Sequence, residues 1–181
     1  ELPSVLVIVV NREQPYLLES CIESLFEKSA YDNLQVCIVD NASTSLESFS
    51  TYGRIQGKHE EVDLIRITER SGYAACIAQA LEAHESDYVL LLDGDLDLAP
   101  DMVVRFFEIM LRDDADIVIG SKRHPESEID YPLRRRIASR VYFGIVRLLV
   151  GLPVTDTQTG MNLFRLEALQ WSFDRMFVKC Y

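Results

Sequence analysis

The chain has 181 residues, of which 48% are hydrophobic and 26% charged, a composition that fits one globular domain and excludes a disordered tail. Its formal net charge of −11 argues against binding of nucleic acid through phosphate neutralisation, and we predict no nucleic-acid partner. The acidic excess is uneven, because residues 122–147 carry a net charge of +4 and the remaining residues therefore carry −15.

Short apolar runs alternate with amphipathic patterns along the chain. Buried strands are predicted at residues 5–10, 36–39, 62–67, 88–92 and 117–119. Helices are predicted from Pro15 through about residue 26, over residues 73–83 and after Pro100-Asp101. This alternation predicts an α/β fold with a mostly parallel central sheet and helices on both faces, in which ligands bind outside the carboxyl ends of the strands.

We predict a single domain over residues 1–181. We also expect it to be part of a longer protein, since the sequence starts without Met and stops at Tyr181 with no turn or cap. The four cysteines form no C-x-x-C pair and are predicted to be buried free thiols, as in a reducing compartment.

Three aspartates follow the fourth predicted strand at alternate positions, namely Asp93, Asp95 and Asp97. Two such charges about 5 Å apart repel by roughly 3 kcal/mol at an effective dielectric constant of 20, and a hard divalent cation would offset that repulsion. Gly94 leaves room for a phosphate or a sugar to approach the backbone. The alternative is a solvated acidic turn before the next helix, with Asp101 as its N-cap.

Two other loops fall at the same predicted edge. Asp40 follows the second strand, where a carboxylate either holds a ribose or base or forms an Asx turn with the residues after it. Arg70 and Gly72 follow the third strand and place a cation and a flexible residue beside the start of the next helix.

Residues 132–150 are predicted to form an amphipathic basic helix. At about 100° per residue, Arg136, Arg140 and Arg147 fall within about 40° of one another, with apolar residues on the opposite side. Such a helix lies at an anionic membrane surface, and the alternative is an ordinary surface helix packed on the sheet. Arg135 and Ser139 are one turn apart and share a face.

The chain resembles the family 2 glycosyltransferases, and in particular the polyprenyl-phosphate or dolichol-phosphate sugar transferases, in an ordered set of motifs: VVNRE, VDNAST, DGDLDLAP, DIVIGSKR, RRRIASR and DTQTGMNLFR. The resemblance covers Val5 to Arg165. It implies a GT-A fold and inverting transfer of a sugar from a nucleoside-diphosphate sugar to a lipid phosphate, with Mg²⁺ or Mn²⁺ as the cofactor. The protein would then be peripheral to, or anchored at, the cytoplasmic face of a membrane.

The same resemblance implies roles for individual residues in donor binding. Asp40 would bind the nucleoside, and Asp93 and Asp95 would hold the metal ion and the diphosphate. Asp97 stands where the dolichol-phosphate enzymes usually have Gln and would be a further metal ligand with an extra charge. The other residues that the resemblance places at the donor are Asn11, Glu13, Arg70, Gly72, Gly94 and Gln158.

For the acceptor, the resemblance implies that Arg123, Arg135 and Ser139 bind its phosphate, a task for which the planar fork of Arg is suited. Asp156, in the DTQTG loop, is the candidate general base or the group that orients the acceptor, and Asp95 is the second catalytic candidate. A loop Asx turn is the structural alternative for Asp156. Because a phosphate monoester is already anionic at pH 7, positioning and metal neutralisation of the leaving diphosphate should carry most of the catalysis.

Other functions remain open at this point. A family 2 enzyme could instead glycosylate a sugar hydroxyl in polysaccharide or glycolipid synthesis. The chain could also be a non-catalytic module that binds nucleotide sugars. A sugar nucleotidyltransferase is disfavoured, because no glycine-rich, lysine-containing phosphate loop occurs near the N-terminus.

Overall fold

A computed structural model describes residues 2–94, 102–120 and 160–175 of the chain. The chain divides into two compact units, residues 1–118 with 160–181 and residues 119–159, and of the second unit only Ile119 and Gly120 are described. The first unit carries the sheet and the helices that position the candidate site. The single domain over 1–181 remains a prediction, and the basic helix at 132–150 lies outside the described residues.

Within the described residues, six strands form one sheet. The strands are β1 (Val5–Asn11), β2 (Leu34–Asn41), β3 (Val62–Ile67), β4 (Tyr88–Leu92), β5 (Ile117–Ile119) and β6 (Met161–Arg165). Their order in the sheet is β3-β2-β1-β4-β6-β5. The pairs β1–β2, β2–β3 and β1–β4 are parallel, whereas β4 and β6 are antiparallel. The predicted mostly parallel sheet is therefore confirmed.

Helices cover both faces of this sheet, as predicted. The helices of the described ranges are α1 (Pro15–Lys28), α2 (Leu46–Lys58), α3 (Tyr73–Ala83), α4 (Met102–Arg112) and α5 (Leu166–Asp174). Side chains of α1, α2 and α4 pack in one apolar cluster with the sheet, and side chains of α3 and α5 pack in a second.

The central strand β1 shows why the apolar runs form this fold. Its residues from Val5 to Val9 are at most 1% exposed and alternate between the two apolar clusters, with Leu6 and Ile8 on the α3 side. A strand that is buried on both faces needs a continuous apolar sequence rather than an alternating one. The same burial accounts for the free cysteines Cys21, Cys37 and Cys76, which confirms the prediction for these three.

Three elements were absent from the sequence prediction, namely α2, β6 and α5. Helix α2 begins after Ser45, whose side chain caps it by accepting a hydrogen bond from the Ser48 N–H at 3.2 Å. Its pattern is weak because Gly53 and Gly57 lower the helix propensity of the segment. Strand β6 has only five residues of mixed polarity, so no local sequence pattern predicts it. It is defined by its pairing with β4.

Candidate active site

Polar side chains form a row across the carboxyl ends of four adjacent parallel strands. The register pairs Asn11 of β1 with Asp40 of β2, and Asp40 in turn with Arg66 of β3. Asp93 directly follows β4, the neighbour of β1 on its other side. The structure thus brings three of the sequence-predicted residues, Asn11, Asp40 and Asp93, to the edge at which parallel sheets bind ligands.

Asp40 is a nearly fully buried carboxylate, with 1% of the residue exposed. Its Oδ1 atom accepts hydrogen bonds from the Ser43 N–H at 3.1 Å and from the Tyr52 hydroxyl at 3.0 Å. Its Oδ2 atom lies 3.6 Å from Nε of Arg66, whose side chain is 53% exposed. The guanidinium of Arg66 lies 4.1 Å above the ring of Phe49. These partners offset the cost of burying the carboxylate. The hydrogen bond from the Ser43 N–H also closes a local turn, which is the alternative role expected for Asp40.

Tyr52 of α2 connects these strand ends beneath the surface. Its hydroxyl also accepts a hydrogen bond from Nδ2 of Asn11 at 3.0 Å and lies 3.2 Å from Oγ of Ser43. Burial raises the pKa of Tyr52, whereas its hydrogen bonds with Ser43 and Asn11 lower it. Sequence reasoning missed Tyr52, since it lies in a segment where no helix was predicted.

Glu13 ties the end of β1 to the loop between β2 and α2. Its backbone, at φ 53°, donates a hydrogen bond to Oγ of Ser43 at 3.0 Å. Its carboxylate accepts hydrogen bonds from the N–H and the hydroxyl of Thr44, from the N–H of Ser45 at 3.2 Å and from the hydroxyl of Ser48 at 3.2 Å. Hydrogen bonds from Ser45 and Thr44 lower the pKa of Glu13 to about 2. This carboxylate binds the loop that precedes α2, and its predicted contact with the donor stays a prediction.

Asp93 is exposed at the end of β4 and is held by its backbone. Its N–H donates a hydrogen bond to the carbonyl oxygen of Gly160 at 2.7 Å. A Cβ atom on Gly160, the last residue of the DTQTG motif, would lie 3.1 Å from Cβ and 3.3 Å from Oδ2 of Asp93, so any larger residue there would force Asp93 to shift. Desolvation of its hydroxyl, and after it the negative charge of Asp93, raise the pKa of Tyr73 to about 12, although 45% of the residue is exposed. A Cβ on Gly94 would make only an ordinary contact of 3.6 Å with Val9.

The loop that contains Arg70 and Gly72 lies at the same edge. Asn41, at the end of β2, donates through Nδ2 to the carbonyl oxygen of Ser71 at 2.8 Å and accepts the Ser71 N–H through Oδ1 at 2.9 Å. Gly72 is the N-cap of α3, and Arg70 is exposed. The amide of Asn41, which sequence reasoning did not single out, therefore holds this loop beside β2.

The other predicted site residues lie outside the described residues: Asp95, Asp97, Arg123, Arg135, Ser139, Asp156 and Gln158. In ranges 2–94, 102–120 and 160–175, no three His, Cys, Asp or Glu residues are grouped as a metal site would require. Of the predicted metal ligands only Asp93 is described, and its exposed carboxylate has the oxygen chemistry that Mg²⁺ and Mn²⁺ prefer. No helix in the described part of the chain is long and apolar enough to cross a bilayer.

A mostly parallel sheet with helices on both faces and polar residues at its strand ends is typical of α/β domains that bind ligands at that edge. The family model described as "Glycosyl transferase family 2" matches residues 4–172. The chain belongs to this family, which confirms the resemblance seen in its motifs and the prediction of a glycosyltransferase domain.

Two relatives illustrate the similarity in sequence. Glycosyltransferase AglD of Haloferax volcanii is 26% identical over 151 residues, which are 82% of this chain and 24% of that protein. The UDP-N-acetylglucosamine--dolichyl-phosphate N-acetylglucosaminyltransferase of Methanococcus voltae is 28% identical over 110 residues, which are 59% of this chain and 44% of that protein. The matched region is thus less than half the length of either relative.

Among solved structures, the mannosyltransferase PcManGT from Pyrobaculum calidifontis, determined in complex with GDP-Man and Mn²⁺, matches with a TM-score of 0.70 at 23% identity. The match covers 95% of this chain and 47% of that one. It confirms the predicted GT-A fold.

Proposed function

We propose that this chain is the catalytic domain of an inverting, metal-dependent glycosyltransferase that moves a sugar from a nucleoside-diphosphate sugar to a polyprenyl phosphate such as dolichyl or undecaprenyl phosphate. The observation that carries the proposal is the row of Asn11, Asp40 and Asp93 at the carboxyl ends of adjacent strands in a family 2 domain. The dolichyl-phosphate acceptor named for the relative from Methanococcus voltae supports the choice of acceptor class.

In this proposal Asp40 binds the nucleoside. Its Oδ1 atom already accepts two hydrogen bonds from the protein, whereas Oδ2 faces the exposed guanidinium of Arg66. The Oδ2 atom is therefore the one that accepts a hydrogen bond from an N–H of the base or a hydroxyl of the ribose. Asn11 and Glu13 shape this end of the pocket by holding β1 against the loop before α2.

The diphosphate binds between β4 and α3. Arg70 supplies a positive charge, and Gly72, as the N-cap, begins a helix whose first N–H groups favour an anion. Asp93, Asp95 and Asp97 are the residues that would hold Mg²⁺ or Mn²⁺, and Gly94 leaves space for the sugar or phosphate. When bound, the metal ion neutralises the negative charge that develops on the leaving diphosphate.

The acceptor phosphate binds to Arg123, Arg135 and Ser139, and Asp156 orients it or acts as the general base. Gln158 contacts the donor diphosphate or sugar. The basic helix at 132–150 lies on the cytoplasmic surface of an anionic membrane, where the lipid acceptor resides. The net charge of +4 over residues 122–147 supports this assignment, since the rest of the chain is acidic.

The test is transfer from radiolabelled UDP- and GDP-sugars in the presence of Mn²⁺, with a short-chain polyprenyl phosphate as acceptor. We expect a lipid-soluble product from which mild acid releases the labelled sugar, because a glycosyl phosphate is acid-labile. The matched control acceptor is the corresponding polyprenol, which lacks the phosphate and should give no product. Transfer to an oligosaccharide hydroxyl with no lipid product would instead establish the polysaccharide or glycolipid alternative.

A further inference from the structure

The hydroxyl of Tyr52 has hydrogen-bonding partners in three separate segments of the chain. They are Asn11 at the end of β1, Asp40 at the end of β2 and Ser43 in the loop before α2. Tyr52 itself is 1% exposed, so water does not compete for these bonds. A buried phenol with three protein partners fixes the relative positions of all three segments.

The chemistry of the partners determines the direction of each bond. The amide nitrogen of Asn11 can only donate, and an ionised carboxylate can only accept, so the phenolic proton points to Oδ1 of Asp40. Oγ of Ser43 accepts the backbone N–H of Glu13, which leaves the Ser43 proton for the remaining lone pair of Tyr52. A single directed chain therefore runs from Glu13 through Ser43 and Tyr52 to Asp40.

This chain fixes Oδ1 of Asp40, whereas Oδ2 faces the exposed guanidinium of Arg66, whose Nε lies 3.6 Å away. A carboxylate rotates readily about its last torsion, which would exchange Oδ1 and Oδ2. Two donors, the Tyr52 hydroxyl and the Ser43 N–H, hold Oδ1 and so prevent that exchange. The plane of the carboxylate, and with it the direction of Oδ2, is set before any nucleotide binds.

We propose that Tyr52 is a positioning residue that holds Asp40 in the orientation needed to bind the nucleoside of the donor. The inference rests on the proposed function, because it requires Asp40 to contact the nucleoside. It adds to that function a residue from α2, a helix that supplies none of the sequence-predicted donor residues.

The test is Tyr52→Phe, which retains the ring and its packing beside Phe49 but removes the phenolic hydroxyl. We expect the KM for the donor, and its Kd measured by calorimetry with Mn²⁺, to rise about tenfold, as loss of a buried hydrogen bond to a charged group predicts. The kcat should change less than about threefold, because Tyr52 does not touch the reacting atoms.

A double-mutant cycle separates positioning from a structural role. If Tyr52 acts through Asp40, then Tyr52→Phe should leave the donor Kd unchanged in an Asp40→Ala background, where the positioned group is absent. An equal loss of donor affinity in both backgrounds would show that Tyr52 does not act through Asp40 and would overturn the inference.

The matched control is Tyr31→Phe. The hydroxyl of Tyr31 is part-buried and donates to the carbonyl oxygen of Pro3 at 2.8 Å, near the amino ends of the strands. We expect this variant to lose thermal stability without any change in donor Kd. If Tyr52→Phe behaves in the same way, its role is structural only and the inference is wrong.

Ser43→Ala provides a second variant in case Tyr52→Phe does not fold. It removes the hydroxyl that orients Tyr52 but retains the backbone N–H that binds Asp40. We expect the donor Kd to rise about threefold, and an unchanged Kd would contradict the inference. Failure of the proposed function is distinguishable, because the wild-type protein would then bind neither UDP- nor GDP-sugars.

Discussion

At the scale of single residues, the close contact between Gly160 and Asp93 links two motifs that lie far apart in the sequence. The carbonyl oxygen of Gly160 accepts the Asp93 N–H at 2.7 Å, and a Cβ on Gly160 would lie 3.1 Å from that of Asp93. The space beside Asp93 therefore favours glycine at the end of the DTQTG motif.

The first prediction follows from this contact. Gly160→Ala should move Asp93 by a few tenths of an ångström and lower kcat about tenfold at saturating donor, since Asp93 is a proposed ligand of the metal ion and small displacements in an active site are costly. Steady-state kinetics at several Mn²⁺ concentrations provide the measurement.

Gly53→Ala is the matched control for this substitution, because nothing lies within 4 Å of a Cβ at that exposed position in α2. It should keep full activity and raise the free energy of unfolding by about 0.5–1 kcal/mol. A Gly160→Ala enzyme with unchanged kcat would show that the placement of Asp93 is not critical.

At the scale of secondary-structure elements, Glu13 joins the end of β1 to the N-terminus of α2. The carboxylate accepts hydrogen bonds from Thr44, Ser45 and Ser48 at the point where the positive end of the helix dipole favours an anion. This contact between two elements depends on ionisation, so it makes stability sensitive to pH.

The second prediction is the sign and range of that sensitivity. The pKa of Glu13 is lowered from 4.5 to about 2, so its ionised form stabilises the folded state fully above about pH 4.5. The contribution is lost as the pH falls through 2. The free energy of unfolding of Glu13→Gln, measured by urea denaturation, should therefore change less between pH 4.5 and 2 than that of the wild type.

Glu60→Gln, at an exposed turn before β3, is the control for removal of one carboxylate and should retain the wild-type pH dependence. Parallel curves for the wild type and Glu13→Gln over this range would exclude a role for Glu13 ionisation in holding α2.

At the scale of the whole molecule, charge is segregated along the chain. Residues 122–147 carry +4 while the rest carry −15, so an anionic membrane would attract only one part of the protein. In the described part of the acidic region, two exposed arginines are paired with acids, Arg54 with Glu19 and Arg112 with Asp113.

The third prediction concerns this segregation. Replacing Arg136, Arg140 and Arg147 with Gln should weaken binding to vesicles that contain phosphatidylserine by about 3 kcal/mol, at about 1 kcal/mol for each basic residue near the surface. Co-sedimentation at low and physiological salt measures the effect, which screening should reduce.

A variant with the same net charge tests whether location matters. Replacing Arg54, Arg105 and Arg112 with Gln removes three positive charges from the described part of the chain, and vesicle binding should then remain close to that of the wild type. An equal loss in both triple variants would mean that total charge, and not the predicted basic helix, governs membrane binding.

The sequence by itself determined the fold class, the family and the edge of the sheet that carries the candidate site. Continuous apolar runs define buried strands such as β1, and acidic residues directly after two of them mark the carboxyl ends. These are local patterns, which is why β3, β4, β5 and α3 were predicted with the bounds that the structure shows.

The tertiary structure alone decided which side chains hold the site residues. Tyr52 forms a hydrogen bond with Asn11, 41 positions away in the sequence. Gly160 lies beside Asp93 because β4 and β6 pair in the sheet. No local periodicity encodes such contacts, because they depend on how the sheet places distant segments side by side. The position of Asp40 at a strand end could therefore be predicted from the local sequence, whereas the orientation of its carboxylate depends on contacts that only the fold creates.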